Sequence, residues 1–386
     1  MRQVIEMESE VILRIISLYV RGGPQVDFQQ YPLGGREFTE LIARHRLTNV
    51  FARLMTNGVA LPPRSASPAI DRVMKQNLVN QAYLQTRQRE LEAELARLKI
   101  PAKILKGRVL GELCYQRVSD RPSNDIDVMV PPDSLEDVWD CLLSKGYRVV
   151  SPKIESRWHQ KLYQRYISPK YLLNREEYGR AYGRQALEKD GVEVDLHWTP
   201  RYQPRDLDRN SYIELNLPHY RISTEADEAE EVRFQTMVVL AHCCESYRPQ
   251  AIQLLDLALL ISKFNLQIEQ LVNHSEIRFS GVSQQQFEHL FLWCQGIAEG
   301  NESGQLEANK QRQCFFFHRG LVDERFSRLT LSEKFKDFFS FLFFIPWHSK
   351  LLFIVGACLP EPRENQQYPS RVVSFWWSRL RKESLS

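Results

Sequence analysis

Two short segments of the chain carry acidic side chains at alternating positions, the spacing that places them on one face of a β-strand. Successive side chains of a strand point to opposite faces, so each segment offers carboxylates on one side and aliphatic groups to a core on the other. If the two strands are neighbours in one sheet, three or four acids converge. These acids are Asp125 and Asp127 in the first segment and Glu193 and Asp195 in the second.

Such a convergence of carboxylates is unstable unless something relieves the repulsion. Two carboxylates roughly 5 Å apart repel by about 3 kcal/mol at an effective dielectric near 20. Three such pairs would cost on the order of 10 kcal/mol, comparable to a whole domain's stability of about 5–15 kcal/mol. Protonation or a divalent ion must offset this, and oxygen ligands suit Mg²⁺ or Mn²⁺ better than zinc. The alternative for a bare acid-x-acid pair is a strand with a solvated face.

A glycine turn upstream of the acids favours the metal interpretation. Lys106 and Gly107 follow a short predicted strand, 102–105, and precede a short predicted helix, 108–115. Backbone N–H groups at such a turn can cradle a phosphate. Phosphate beside a two-metal carboxylate site is the apparatus of phosphoryl or nucleotidyl transfer.

The elements that must position these residues form an α+β pattern. Predicted strands at 102–105, 125–130, 147–150 and 192–198 give a small mixed sheet, with helices before and after it. We therefore predict three regions: an N-terminal helical region at 1–100, a sheet-containing core at 101–225 and a C-terminal helical domain at 226–386.

Composition and targeting signals narrow the class of protein. The 386 residues are 43% hydrophobic and 26% charged, with a net charge of +3, so the chain is globular and lacks a basic field for bulk nucleic-acid binding. Seven cysteines without a CxxC pair predict buried thiols. The amphipathic N-terminus predicts a cytoplasmic location.

An apolar tract near the C-terminus, 338–359, raises the question of a membrane. Its two runs fall short of the roughly 20 residues that span a bilayer, and Pro346 interrupts them. We expect no transmembrane segment and interpret the tract as buried helices, with peripheral membrane contact as the alternative.

As an ordered set, these motifs resemble the poorly characterised bacterial nucleotidyltransferase family of the DNA polymerase β superfold. The resemblance covers roughly residues 40–265. It is carried by Leu105-Lys106-Gly107, Tyr115, Arg121, Asp125-Ile126-Asp127, Gly146-Tyr147, Val194-Asp195-Leu196-His197-Trp198, Leu240-Ala241-His242 and Leu254-Leu255-Asp256-Leu257-Ala258.

The resemblance implies a nucleotidyltransferase fold that holds Mg²⁺, or Mn²⁺, on three acids. Asp125, Asp127 and Asp195 match the catalytic, metal-holding carboxylates. The implied nucleotide-binding residues are Lys106, Gly107, Arg108 and Arg121. Two features depart from the superfold: Gly107 is followed by Arg108 where Gly-Ser is usual, and 17 residues separate Gly107 from Asp125.

The expected reaction is transfer of a nucleoside monophosphate from an NTP, such as ATP, to an acceptor hydroxyl or phosphate, with release of pyrophosphate. Glu193 is a candidate fourth acid. His197 is expected to orient Asp195 as a hydrogen-bonding partner, or else to reach the acceptor. His242 and Asp256 lie on predicted helices without metal-spaced neighbours, so we interpret them as buried polar pairs or surface groups.

Several alternatives remain open on the sequence alone. The protein can be a catalytically inactive nucleotide-binding or protein-interaction module with the same fold. It can be a toxin-like enzyme that modifies tRNA or a protein, or an accessory enzyme that modifies a small molecule in polysaccharide or peptide assembly. The Arg- and Tyr-rich tract 157–184 suits a polyanionic acceptor such as tRNA, or else is a solvated insertion.

Overall fold

A computed structural model describes residues 2–149, 184–198, 201–202, 212–215, 228–245, 250–274, 277–280 and 283–300. The apolar tract at 338–359 and all but the last residue of the tract at 157–184 lie outside them, so the interpretations of both tracts stay predictions.

Helices make up most of the described chain. They are α1 (Arg2–Arg21), α2 (Gly35–Arg44), α3 (Thr48–Thr56), α4 (Ser67–Arg97), α5 (Gly107–Cys114), α6 (Leu135–Ser144), α7 (Glu228–Glu245), α8 (Ala251–Phe264), α9 (Glu269–Val272) and α10 (Ser283–Glu299). Within the described ranges, every helix is too short or too polar to cross a bilayer.

A five-stranded mixed sheet lies among these helices, with strand order β3-β4-β7-β6-β5. Its β4 and β7 are parallel and its other neighbours antiparallel. The strands are β3 (Lys103–Leu105), β4 (Asp125–Met129), β5 (Arg148–Val149), β6 (Arg184–Lys189) and β7 (Val192–His197). This small sheet flanked by helices confirms the predicted α+β fold.

Two smaller sheets accompany the five-stranded one. Strands β1 (Val26–Asp27) and β2 (Ala60–Leu61) form a parallel pair. Strands β8 (Arg201–Tyr202), β9 (Tyr212–Leu215) and β10 (Ile277–Ser280) form an antiparallel sheet in the order β10-β9-β8.

The hydrophobic core falls into two clusters. One packs α4 and α6 against the aliphatic face of the five-stranded sheet, where Ile126, Val128, Val194 and Leu196 are buried. The other joins α1, α2 and α3 to α7, α8 and α10. The two ends of the described chain therefore share one core, while the predicted boundaries at 100 and 225 stay a prediction.

The turn that leads into β4 is tied to the N-terminal helices by a buried aspartate. The Tyr19 hydroxyl of α1 donates to Asp120 Oδ2 at 2.8 Å, and Arg53 of α3 donates to both oxygens of the same carboxylate at 3.2 and 3.3 Å. Because hydrogen bonds to a buried charge are stronger than neutral ones, this contact fixes one end of the acidic strand.

The cysteines behave as predicted where the structure describes them. Cys114, Cys141, Cys243, Cys244 and Cys294 are buried free thiols. Burial raises the pKa of the Cys243 thiol well above its usual value, which keeps it protonated. These residues serve packing.

Candidate active site

The two acidic segments lie side by side in the sheet. In the parallel pairing of β4 and β7, Asp125 is opposite Glu193 and Asp127 is opposite Asp195. His197 follows two residues after Asp195, on the same face of β7. The alternation that defined each strand therefore also brings their polar faces together.

Three of these side chains place possible ligand atoms within 4.8 Å of one another: Asp127, Asp195 and His197. His197 Nε2 lies 3.1 Å from Asp127 Oδ1 and 3.6 Å from Asp195 Oδ2. Asp125 lies on the same strand face as Asp127 but is not one of the three. The cluster thus has a histidine where the sequence predicted a third carboxylate.

Lys106 brings a buried positive charge to this cluster. Its ammonium group donates to Asp127 Oδ1 at 3.3 Å and to His242 Nδ1 at 2.7 Å. The lysine is only 7% exposed, so the charge is held in a low-dielectric environment next to a carboxylate. From the sequence we interpreted His242 as part of a buried polar pair or as a surface group. The structure places it at the site, in contact with Lys106.

The two acids of β4 differ in their electrostatics. Burial raises the pKa of the Asp125 carboxyl, and neighbouring Asp127 raises it further. Burial would also raise the pKa of Asp127, but Lys106 and the hydrogen bond from His197 outweigh burial and lower it. Lys106 and His197 thus keep the Asp127 carboxylate ionised.

The turn at Lys106 has a strained backbone that helix α7 holds in place. Lys106 has a φ of +50°, a region that costs a non-glycine residue about 1–3 kcal/mol. The Lys106 N–H donates to Gln235 Oε1 at 2.8 Å, and Gln235 Nε2 donates to the Ile104 carbonyl at 3.1 Å. Gln235 and His242 are two turns apart on α7, so one face of that helix fixes both the backbone and the side chain of Lys106.

The predicted phosphate turn borders the acids. Gly107 begins α5 with a φ of +39°, and together with Arg108 it lines a small cavity that also contains Asp125 and Asp127. The Arg108 guanidinium donates to Glu112 one turn along α5 at 2.6 Å. The glycine turn therefore lies where the sequence predicted it. The Arg108 side chain already has an acidic partner, Glu112.

Arg121 lines the same cavity, and its guanidinium pairs with a carboxylate of α8. Its Nε and Nη2 donate to the two oxygens of Asp256 on α8, both at 2.8 Å, and the Tyr115 hydroxyl donates to Asp256 Oδ1 at 2.6 Å. Burial alone would lower the pKa of Arg121, but Asp256 raises it. The structure thus gives Arg121 an acidic partner, and its part in nucleotide binding stays a prediction.

Arg46 is a residue near the acids that the sequence did not indicate. It lies between α2 and α3 with a φ of +58° and is half-buried. Its Nη2 donates to the Asn124 amide oxygen at 3.1 Å once that amide is oriented to satisfy both groups. Burial lowers the pKa of the Arg46 guanidinium, and Asp125 acts in the opposite direction. The N-terminal helices thus contribute a cation to the site.

Ser123 and Gln235 are further polar residues that the motifs did not select. The Ser123 hydroxyl donates to Asp125 Oδ1 at 3.4 Å, and a Cβ added to Gly107 would lie 3.5 Å from Ser123 Oγ. Gln235 is fully buried in α7, and so is Thr236 beside it. Because α7 also carries several charged and polar residues, nothing in its sequence singled out Gln235.

The donor set of the cluster fits a divalent cation. Two carboxylates and an imidazole are common ligands of divalent metals, and convergent acids need a positive charge. Lys106 pairs with Asp127, and the charge of Arg46 acts on Asp125 and Asp127.

Comparison with known proteins gives one result. A family model described as "Uncharacterised nucleotidyltransferase" matches residues 33–279, which include every residue of the site described above. No curated protein and no solved structure matches the chain.

Proposed function

The chain belongs to this family of uncharacterised nucleotidyltransferases, and on that premise we propose that it transfers a nucleoside monophosphate from an NTP to an acceptor hydroxyl or phosphate. In this reaction an acceptor oxygen attacks the α-phosphorus, the bond from that phosphorus to the β-phosphate bridging oxygen breaks, and pyrophosphate leaves. Where the acceptor is a hydroxyl, its proton passes to solvent in the same reaction. The proposal includes dependence on a divalent metal, Mg²⁺ or Mn²⁺.

One observation carries this proposal: Asp127 and Asp195 are direct neighbours on parallel strands, beside the Lys106–Gly107 turn. A solvated strand face would leave these groups exposed, but Asp127 is buried and already bonded to a lysine and a histidine. The repulsion between this buried carboxylate and the neighbouring Asp195 lowers stability, which favours a role of the pair in binding a cation.

Each residue has a role in the proposed reaction. Asp127 and Asp195 would hold the metal, with Asp125 beside them at the cavity. When bound, a divalent metal lowers the pKa of an acceptor hydroxyl and neutralises the leaving pyrophosphate. Lys106 and Arg46 would stabilise negative charge on the phosphates, and the backbone at Gly107 would face the triphosphate.

The acceptor and the nucleotide base are left open by this proposal. Small molecules, tRNA and proteins all offer a suitable hydroxyl. ATP is the first NTP to test. A cytoplasmic location, where NTPs are abundant, belongs to the same proposal.

The test is a labelling experiment on the full chain. The protein is incubated with each α-labelled NTP, Mg²⁺ or Mn²⁺, and separated small-molecule, RNA and protein fractions of a cell extract. We expect one fraction to take up label with an equal amount of pyrophosphate released. Tight NTP binding without label transfer or pyrophosphate release would favour the inactive nucleotide-binding module instead.

Arg46 gives a prediction about the nucleotide. Arg46→Gln should raise the KM for the NTP by about tenfold or more, because a hydrogen bond to a charged group contributes about 1.5–3 kcal/mol. The effect should fall mainly on KM, since the guanidinium would contact the triphosphate. Initial rates over a range of NTP concentrations measure it.

The matched control is Arg36→Gln, which removes an exposed arginine of α2 that pairs with Glu40. This variant should leave KM unchanged because surface pairs contribute little. A normal KM in Arg46→Gln with lowered thermal stability would show that Arg46 only supports the loop.

A further inference from the structure

We propose that His197 binds the metal directly through Nε2, together with Asp127 and Asp195, and that the site therefore prefers Mn²⁺ to Mg²⁺. The inference rests on the proposed function for the presence of a divalent ion, and it goes beyond it by naming a ligand and a metal preference. It departs from the sequence expectation, in which His197 only oriented Asp195 and all ligands were oxygens.

The separations of the donor atoms support direct binding. Adjacent ligand atoms of an octahedral ion with bonds of 2.0–2.1 Å lie about 3.0 Å apart. His197 Nε2 is 3.1 Å from one carboxylate oxygen and 3.6 Å from the other. The second distance is beyond hydrogen-bonding range, so a hydrogen bond accounts for one of the two contacts and a shared cation accounts for both.

The β-sheet explains why these three groups converge. Asp195 and His197 are two residues apart on β7 and share a face, and the register sets Asp127 beside Asp195. The ring is 1% exposed and therefore cannot turn toward solvent without opening the sheet. Its Nε2 is directed at the carboxylates by packing before any ion arrives.

An imidazole ligand changes the metal preference. Mg²⁺ prefers oxygen ligands and gives up water reluctantly, whereas ions from Mn²⁺ onward in the first transition series bind imidazole more readily. Mn²⁺ is the probe of choice because it also suits carboxylates and is paramagnetic. We expect Mn²⁺ to bind the full chain more tightly than Mg²⁺.

Pulsed electron paramagnetic resonance of the Mn²⁺-loaded full chain tests the inference without measuring activity. Wild type should show coupling of the manganese to a nitrogen, and labelling of histidine with ¹⁵N should change that coupling. His197→Gln should remove the coupling and reduce the preference for Mn²⁺ over Mg²⁺. Circular dichroism verifies that the variant is folded.

His242→Gln is the matched control, because His242 also lies at the site but contacts Lys106. This variant should keep the nitrogen coupling. Loss of coupling in His242→Gln, persistence in His197→Gln, or bound Mn²⁺ without nitrogen coupling in wild type would overturn the inference. If the His197 variant does not fold, the wild-type and His242→Gln spectra together still decide.

The outcome of the resonance experiment can be distinguished from the outcome of the nucleotide-transfer test of the proposed function. Nitrogen coupling with no nucleotide transfer to any fraction would leave the metal ligand in place and remove the transferase proposal. Nucleotide transfer with a bound metal that shows no nitrogen coupling would support the transferase proposal and exclude His197 as a metal ligand.

Discussion

Replacing Asp127 with Asn is expected to lower the rate of nucleotidyl transfer by roughly a thousandfold or more, equivalent to about 4 kcal/mol of barrier. Asp127 is the carboxylate that touches both Lys106 and His197 and lies beside Asp195. The amide keeps the size of the side chain but loses its negative charge. Both metal binding and the position of Lys106 depend on that charge.

The change should show in pyrophosphate release and label transfer, while circular dichroism stays close to that of wild type. Asp137→Asn, the same change at an exposed position of α6, should leave the rate unaltered. Because the buried Lys106 loses an acidic partner, Asp127→Asn also carries a cost in stability. Asp195→Asn, which does not touch Lys106, gives a second test. A folded Asp127→Asn protein that still releases pyrophosphate at the wild-type rate would exclude this site.

Alternation of residue types was sufficient to predict the sheet face that carries the acids. Strands β4 and β7 begin within one residue of their predicted positions, because each has aliphatic residues on one face and polar residues on the other. Strand β6 was not predicted. Its sequence, Arg184–Lys189, mixes polar and apolar residues without a strict period, and it is a strand because it pairs with β7 along its whole length.

The prediction for the site was limited by contacts between residues far apart in sequence. Arg121 and Asp256 are 135 positions apart, and Lys106 and His242 are 136 apart. Nothing in the local sequence around Arg121 or Lys106 indicates which distant carboxylate or imidazole it will contact. Arg46 was missed for the same reason, since helix packing alone brings the loop after α2 to Asp125.

The parallel register also decided which groups can share a metal. Sequence patterns place Asp125 and Asp127 on one face but do not determine the register of β7 against β4. In the observed register Asp127 is opposite Asp195, which leaves Asp125 beside Glu193 and brings His197 to the other side of the pair. A shift of one residue would have turned the acids of β7 into the core.

Asp256→Asn is expected to lower the free energy of unfolding by about 3–5 kcal/mol, the usual cost of removing one partner of a buried ion pair. Asp256 is 0% exposed and accepts hydrogen bonds from Arg121 and from the Tyr115 hydroxyl. The amide leaves the Arg121 guanidinium buried with a neutral partner. Denaturant unfolding followed by circular dichroism measures the change. Asp71→Asn, an exposed position of α4, should stay within about 0.5 kcal/mol of wild type.

A double variant distinguishes the cost of an unpaired buried charge from the cost of altered packing. Replacing both partners with apolar residues, as in Arg121→Met with Asp256→Leu, should destabilise less than Asp256→Asn alone, because no unpaired charge remains buried. The same pair holds the segment before β4, so the single variant should also slow nucleotide transfer by moving Asp125 and Asp127. A single variant as stable as wild type would mean that Arg121 has another acceptor. In that case its guanidinium would again be a candidate for the phosphates.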